Sequence, residues 1–350
     1  MSTNRILAID VGGGTQDILL YERDTPPENC IKLILPAPTQ VVAKRISRVT
    51  GSGKAVFLTG NLMGGGACVS AIKNHIQIGL NVYATELAAK TIKDNLAEVE
   101  EMGIQIVTEP PEDAVSVELR DIDTIAIEKA LAYFETEIPK NFAVAVQDHG
   151  ECVDDSNRKF RFQHWQRFLE NDGYLSHLAY QTPPNYLTRM RAIKRDIPDA
   201  IMMDTCAAAI LGAFSDPIVA RDNEKGVIIV NMGNQHTLGA LVKEGRIWGL
   251  FEHHTQLMNP KKLKDYIDRI LKGSLPNDEV YKDGGHGCFI RPDFSPEGGF
   301  QMVSITGPRR NMGESTGYHF AVPHGDMMLT GCFGLITAAK NLFENKKGEG

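Results

Sequence analysis

The sequence of 350 residues lacks the marks of a membrane protein and of a nucleic-acid-binding protein. Its longest apolar runs, such as CIKLILP and GVIIVNMG, are strand-sized, whereas roughly 20 apolar residues are needed to cross a bilayer. It also lacks a basic block that could follow a phosphate backbone, since 37 Lys and Arg stand against 44 Asp and Glu, for a net charge of −7. Neither a membrane nor a nucleic acid is an expected partner.

Cysteine is scarce, and its spacing excludes the usual cysteine-based centres. The six cysteines lie far apart, so there is no CxxC pair for zinc or redox chemistry and no CxxxCxxC triplet for an iron–sulfur cluster. The apolar segment and cleavage site of a signal peptide are also missing, because the N-terminus enters a strand pattern at once. These absences predict a cytoplasmic protein with reduced cysteines.

The composition that is present, 42% hydrophobic and 23% charged, is that of an ordinary globular chain. At roughly 150 residues per domain, the length predicts two domains. In the first half, the hydrophobic pattern predicts alternating strands and helices, at about 30–35, 39–49, 55–59, 67–78, 81–85, 86–102, 123–135 and 142–147. This alternation predicts an α/β fold class.

The second half repeats the opening pattern of the chain. From Val227, three apolar runs predict three strands, followed by a helix over PKKLKDYIDRIL. Residues 273–300 are predicted to be loop, before a strand at 300–306 and a last helix over about 326–343. Because strand, small-residue turn, two strands and helix occur twice, the sequence predicts two similar domains facing a cleft, where ligands usually bind. The polar stretch 151–200 between them is predicted to be a helical or irregular insertion with a supporting or lid role.

The segment RILAIDVGGGTQDILLYE predicts two strands joined by a glycine turn. Because Gly12, Gly13 and Gly14 lack Cβ atoms, the backbone N–H groups of the turn can close on phosphate oxygens, and Thr15 adds a hydroxyl donor. Asp10 stands where the strand meets the turn. A carboxylate beside a phosphate needs a cation between them, which points to Mg²⁺ at Asp10. The same residues equally allow a plain tight hairpin in which Asp10 caps the turn.

Five segments, in order along the chain, resemble those of the superfamily of actin, sugar kinases and heat-shock chaperone ATPases. They are ILAIDVGGGTQD (first phosphate hairpin), IMMDTCAAAILGA (first connecting helix), GVIIVNMGNQHTLGALV (second phosphate hairpin), MVSITGPRRNM (adenosine segment) and GDMMLTGCFGLITAA (second connecting helix). The resemblance implies an actin-like ATPase fold of two ribonuclease H-like domains around a cleft. Domain I would comprise residues 1–214 and the C-terminal helix 326–345, and domain II residues 215–325.

The resemblance further implies that ATP and Mg²⁺ bind between the hairpins and that the protein transfers a phosphoryl group, as a small-molecule kinase or an ATPase. It places Asp204 at the acidic position before the first connecting helix. Asp204 and Asp10 are therefore both catalytic candidates. It places Asn231 and Gly233 at the second hairpin, and Gly307 and Arg310 in the adenosine segment, where Arg310 would stack on adenine. The small residues of the two connecting helices would let them cross closely as a hinge: Ala207, Ala208, Ala209, Gly331 and Gly334.

The chain departs from the superfamily pattern at two places, and other functions stay open. Asn231 stands where an aspartate is frequent, and Pro308 follows the adenosine-segment glycine. One alternative is a nucleotide or phosphate binder without catalysis, whose domain closure signals to a protein partner. The whole chain also resembles an uncharacterised family labelled as related to pyruvate formate-lyase activating enzyme, but the absent CxxxCxxC motif argues against radical activation.

Two polar segments after predicted strands supply further candidates. In TGNLMGGG, Gly64, Gly65 and Gly66 precede a predicted helix whose N–H groups could bind an anion, unless the loop merely packs against the first hairpin. In AVAVQDHGE, Asp148 is the candidate general base for an acceptor hydroxyl, with His149 as neighbour or alternate base. The alternative for Asp148 is a capping role in the loop.

The segments FEHHT and GGHGC predict a third possibility, a metal-dependent enzyme on the same scaffold. His253, His254, His286 and Cys288 are side chains that bind zinc or iron, although polar loop histidines are the alternative. Adjacent residues of an extended chain point to opposite sides, so only one of His253 and His254 is expected to share a site.

Overall fold

The computed structural model describes residues 5–152 and 156–348. Its strands are β1 (Arg5–Val11), β2 (Thr15–Glu22), β3 (Ile31–Pro36), β4 (Ala55–Gly60), β5 (Val82–Ala84), β6 (Ile104–Ile106), β7 (Ala114–Leu119), β8 (Phe142–Val146), β9 (Ile201–Met203), β10 (Val227–Met232), β11 (His236–Lys243), β12 (Arg246–His254), β13 (Gly287–Ile290), β14 (Met302–Thr306) and β15 (His319–Phe320). Its α-helices are α1 (Pro38–Gly51), α2 (Gly66–Gln77), α3 (Glu86–Ala89), α4 (Leu96–Glu101), α5 (Thr124–Ala132), α6 (Asn157–Asn171), α7 (Thr188–Asp196), α8 (Thr205–Ala213), α9 (Pro217–Arg221), α10 (Pro260–Leu271), α11 (Asn277–Lys282) and α12 (Thr330–Gly348).

The first sheet has the strand order β3-β2-β1-β8-β9. In it, β2 runs antiparallel to β1 and β3, β8 is parallel to β1, and β9 is parallel to β8. Both faces of β1 are buried, with Ile6 and Ala8 in one core and Leu7 and Ile9 in another, which explains its continuous apolar sequence. This strand order is that of a ribonuclease H-like domain.

The second sheet repeats that order as β12-β11-β10-β14-β15, with β13 added beside β12. As in the first sheet, the second strand of the repeat, β11, is antiparallel to its neighbours β10 and β12, and β14 is parallel to β10. α10 covers one face, where Leu263, Ile267 and Ile270 join the core. Two ribonuclease H-like domains around a cleft form the actin-like ATPase fold, so the predicted fold class is confirmed.

The connecting helices α8 and α12 lie between the two sheets and cross with their backbones in contact. Their residues share a core with the inner faces of both sheets. A Cβ on Gly212 would overlap the carbonyl oxygen of Thr330, and a Cβ on Gly334 would overlap that of Ala208. The structure therefore has the close crossing that the small residues predict, and glycine is required at both contact points.

A third sheet, β6-β5-β4-β7, is inserted between β3 and β8 and has a core of its own. Its strands are all parallel and are covered by α1 to α4. β6 and β7 were not predicted: β6 has only three residues, and the alternation of apolar and polar residues in β7, AVSVEL, was missed. The helix predicted over 86–102 is two helices, because Asn95 caps the backbone N–H of Ala97 and starts α4 anew.

The stretch 151–200 packs against both sheets, and its residues 153–155 lie outside the described residues. α6 buries Phe162 and Trp165 in the core between the sheets, and α7 buries Met190 on the other face of the first sheet. The segment predicted as loop at 273–300 contains α11 and β13, which pairs with β12. None of the helices in the described ranges is long and apolar enough to cross a membrane.

Candidate functional site

The two glycine hairpins face each other across the cleft and touch at their turns. Both turns are closed by the same kind of hydrogen bond, from Gly12 N–H to Thr15 O and from Gly233 N–H to His236 O, each 2.9 Å. A Cβ on Gly13 would overlap the side chain of Gln235, and one on Gly14 would lie 2.5 Å from the Asn234 amide nitrogen. The missing Cβ atoms thus allow the second turn to pack directly on the first.

Two cavities flank this contact. The larger, of about 190 Å³, is lined by the glycines of the first hairpin and of the loop after β4, together with polar groups of both domains: Gly12, Gly13, Gly64, Gly65, Gly66, Gln147, His149, Arg189, Thr205, Asn231, Gly233, Asn234, Gln235 and His236. The smaller, of about 70 Å³, lies toward the adenosine segment and is lined by Asp10, Gly12, Gly13, Thr15, Asp17, Thr205, Asn231, Gly233, Asn234, Thr306, Gly307, Pro308 and Gly331, among others. Most of the predicted binding residues therefore surround one cleft. Arg310 begins a 3₁₀ segment after β14 and lines neither cavity.

Asp10 and Asp17 bring two carboxyl groups to the smaller cavity, where they are partners across the first hairpin. Burial raises the pKa of Asp10 to about 7, although the Thr205 hydroxyl donates to it at 2.5 Å. Burial and the neighbouring Asp10 raise the pKa of Asp17 to about 8, and its Oδ1 has no hydrogen-bond partner in the described part of the chain. Because a Cβ on Gly331 would overlap the Asp10 carboxylate, glycine is required there. A divalent cation between these carboxyl groups would favour their charged forms.

The glycine loop 64–66 reaches the larger cavity and is held there by an ion pair. Arg189 donates to both oxygens of Asp121 at 2.8 Å and to the Gln147 carbonyl at 2.7 Å. Asp121 in turn accepts a hydrogen bond from Gly64 N–H. The loop ends where α2 begins, so helix N–H groups and the Arg189 guanidinium face the same space, an arrangement that suits an anion.

Asp148 does not reach either cavity. Its two carboxylate oxygens accept hydrogen bonds from Gly150 N–H and from Met190 N–H in the first turn of α7, both 2.9 Å. This is the capping role that the sequence left as the alternative to proton transfer. Asp204 likewise caps α8 by accepting from Cys206 N–H and is not among the cavity-lining residues.

Arg161, which sequence reasoning missed, is the centre of a buried ionic network between the domains. Its guanidinium contacts Asp204 at 2.7 Å and both oxygens of Glu252 at 2.9 Å. Burial opposes ionisation of Glu252, but Arg161 holds the pKa of that carboxyl well below its usual range. The sequence does carry a signal, because Arg161 lies one helical turn before Trp165 on the apolar face of α6.

Four histidine rings form a cluster at the edge of the larger cavity. His149 and His236 line the cavity, and the ring centroids of His236, His254 and His286 lie 4.8–5.0 Å from one another. His149 lies 5.6 Å from His236 and 5.4 Å from His286. Burial lowers the pKa of His236 to about 3 and that of His254 to about 4, so both rings are neutral at pH 7.

The predicted metal-binding set differs from this cluster at two positions. His253 points away, as the alternation rule predicts for one of the adjacent histidines, and its Nε2 lies 3.1 Å from Asp283. Cys288 is buried in the domain II core. His149 and His236 take their places, and His236 was missed because it sits at the start of β11, inside the segment interpreted as a phosphate hairpin.

Comparisons with known proteins give one family and several distant structures. The family described as "Putative pyruvate format-lyase activating enzyme (DUF1786)" matches residues 63–312. A Bacteroides thetaiotaomicron protein with actin-like ATPase fold and unknown function has 9% identity, 96% coverage of both chains and a TM-score of 0.40. Ethanolamine utilization protein EutJ from Carboxydothermus hydrogenoformans has 9% identity over 94% of this chain and 88% of its own, with a TM-score of 0.33. Human actin-related protein Arp8, in its ATP-bound state, has 10% identity over 96% and 91%, with a TM-score of 0.38. No curated protein matches the chain.

Proposed function

The chain belongs to the DUF1786 family, and we propose that it binds Mg–ATP between its two hairpins and transfers the terminal phosphoryl group to water or to a small acceptor. The observation that carries the proposal is the pair of glycine turns, one from each domain, that face each other beside two carboxyl groups. Backbone N–H groups of such turns bind phosphate oxygens. Radical activation is not proposed, because the sequence has no CxxxCxxC motif.

The phosphate groups would occupy the space between the turns, with Mg²⁺ held by Asp10 and Asp17. Both carboxyl groups line the smaller cavity, and magnesium prefers oxygen ligands. When bound, the ion neutralises charge on the phosphate oxygens. The hydroxyl groups of Thr15 and Thr205 donate to the carboxyl groups of Asp17 and Asp10. The amide of Asn231 lines the same cavity and can donate to the phosphate oxygens.

Gln147 is the candidate for positioning the nucleophile. It follows β8, lines the larger cavity, and donates from Nε2 to a Glu252 oxygen at 3.2 Å. Because that hydrogen bond fixes the amide, its oxygen is left to accept from a water or an acceptor hydroxyl. Phosphoryl transfer depends mainly on positioning and charge neutralisation, so a residue that orients the nucleophile suffices without a strong base.

The proposal requires the cleft to open before nucleotide enters. The cavities measure about 190 and 70 Å³, whereas pockets for drug-sized ligands span roughly 300–1,000 Å³. Rotation of the domains about the α8–α12 crossing would separate the two turns and join both cavities into one site.

The test compares Gly12→Val with Gly51→Val in calorimetric titrations of the full chain with ATP and ADP, with and without Mg²⁺. Gly12 lies inside the hairpin turn, whereas a Cβ on Gly51 at the end of α1 meets nothing within 4 Å. We expect Gly12→Val to lose at least about 100-fold in affinity, since its methyl groups would occupy the anion's place. Gly51→Val should bind as the parent does. Equal binding by Gly12→Val, or a parent that binds neither nucleotide, would overturn the proposal.

A second candidate is a nucleotide binder without turnover, whose closure signals to a protein partner. It is supported by the capping contacts of Asp148, since each of its oxygens already accepts a backbone hydrogen bond. Nucleotide binding combined with phosphate release no faster than in buffer, across a panel of acceptors, would favour this candidate over catalysis.

A further inference from the structure

We propose that His149, His236 and His286 bind one divalent transition-metal ion, zinc or iron, with His254 beside them. Each of the three offers a ring nitrogen, and these nitrogens lie within 4.8 Å of one another. Imidazole nitrogen is a preferred ligand for zinc and iron, whereas magnesium prefers oxygen. The proposed metal site thus differs in its ligands from the proposed Mg²⁺ site, which uses carboxyl groups in the smaller cavity.

The fold brings these rings together from four separate places. His236 begins β11 and pairs in register with His254 at the end of β12. His286 directly precedes β13, which pairs with β12 on its other side. His149 comes from domain I, three residues after the end of β8. Three neighbouring strands of one domain and one loop of the other thus bring polar rings to one place. Hydrophobic packing alone gives no reason for polar rings to gather there.

The ring nitrogens themselves point to a missing partner. His236 is 8% exposed, and neither of its nitrogens has a hydrogen-bond partner among the residues that the structure describes. His286 is 1% exposed, and within the described residues its Nε2 has no hydrogen-bond partner. Buried polar groups are normally satisfied, so two adjacent unsatisfied imidazoles call for an explanation. A metal ion would satisfy one nitrogen on each ring.

Glu252 supplies the supporting carboxylate that histidine ligands commonly have. Its Oε2 lies 3.0 Å from Nδ1 of His286, which would leave Nε2 of that ring for the metal. Glu252 is itself fixed by two hydrogen bonds from Nε of Arg161 at 2.9 Å. The ring of His286 is therefore oriented by a fixed partner.

Formation of the site requires a small closure of the rings. Metal–nitrogen bonds of about 2.0–2.1 Å in tetrahedral geometry place the nitrogens about 3.4 Å apart, compared with separations of up to 4.8 Å here. Rotation of the side chains can supply this difference. Because His149 and His236 line the larger cavity, the remaining coordination position would face the glycine loop, where a bound water or a phosphate oxygen could be polarised.

The test measures metal content per chain by elemental analysis, in the parent and in His236→Gln and His286→Gln. We expect about one zinc or iron per parent chain and less than about a tenth of that in either variant, since loss of one of three ligands removes most of the affinity. The matched control is His253→Gln, because His253 is equally buried but faces Asp283. It should keep the metal.

A second measurement, made on the parent protein, tests the proposal even if the histidine variants fold poorly. Chelator-treated parent protein is titrated with Co²⁺, Zn²⁺ and Fe²⁺ while the visible spectrum and the melting temperature are followed. A saturable cobalt absorption band and a rise in melting temperature at one equivalent are expected. A parent free of metal that binds none of the three ions, or equal metal loss in His253→Gln and His236→Gln, would overturn the proposal.

Discussion

Asp148 is a buried carboxylate whose oxygens are already used by the backbone around it. It accepts from Gly150 N–H and Met190 N–H. Burial raises its pKa to about 6, although both donors act to lower it. By joining the strand end to α7, this carboxylate fixes the loop that carries Gln147 and His149, the two neighbours that do line the larger cavity.

We expect Asp148→Asn to lower the free energy of unfolding by about 1–3 kcal/mol, because the amide NH₂ must face one of the two buried N–H donors. Turnover of ATP should change by less than about tenfold. Urea unfolding and phosphate release measure the two effects. Asp123→Asn is the control, since Asp123 caps α5 at the surface. A fall of 100-fold in turnover at unchanged stability would restore the catalytic role.

Local chemistry explains which site residues the sequence could predict. The turn residues Gly12 to Gly14 and Gly233 were predicted because a glycine turn between two apolar runs is a local signal. Arg161 and Arg189 were not, because their carboxylate partners lie tens of positions away in the chain and only the fold brings them together.

At the scale of elements, the crossing of α8 and α12 fixes the distance between the two sheets. The backbones touch at Gly212 and Gly334, so neither helix can accept a larger residue at these points without moving.

We expect Gly334→Ala to lower the free energy of unfolding by about 1–3 kcal/mol through overpacking. It should also weaken nucleotide binding, because the sheets would be held at an altered distance. Thermal or urea unfolding and calorimetry measure both effects. Gly51→Ala, at a helix end with open space around it, should change neither, and an unchanged unfolding midpoint in Gly334→Ala would contradict the close-contact interpretation.

Burial pattern explains which elements the sequence could predict. β1 and β10 are buried on both faces and stand out as continuous apolar runs. β7 alternates its apolar residues with exposed Ser and Glu, which is a strand pattern that was missed, whereas β13 is four residues long within a glycine-rich stretch and too short for a periodic signal. Sequence pattern also did not indicate that β4 to β7 form a separate sheet, because strand pairing depends on tertiary contacts that a local pattern does not contain.

At the scale of the molecule, the Arg161 network adds a link of buried charges to the apolar core that the two sheets share. Asp204 lies between β9 of the first sheet and α8, Glu252 lies in β12 of the second sheet, and one guanidinium contacts both. All three charges are buried, so the network is stable only when complete.

We expect Arg161→Leu to lower the free energy of unfolding by about 3–5 kcal/mol, because it leaves two buried carboxylates unpaired. Adding Glu252→Gln should recover part of this loss, since one of those charges is removed. Chemical denaturation of the single and double variants measures the coupling. Arg167→Leu, on the exposed face of the same helix, is the control. A double variant no more stable than Arg161→Leu would show that the charges are not coupled.

The contact between the two glycine turns also limits how fast a ligand can bind and dissociate. A ligand that needs the space between Gly13 and Gln235 can enter only while the turns are apart. Its observed association rate therefore rises with concentration at first and then levels off at the rate of opening, instead of climbing toward the diffusion limit. Dissociation also requires the turns to separate. The residence time of a bound nucleotide would therefore be governed by the rate of opening rather than by the strength of its own contacts.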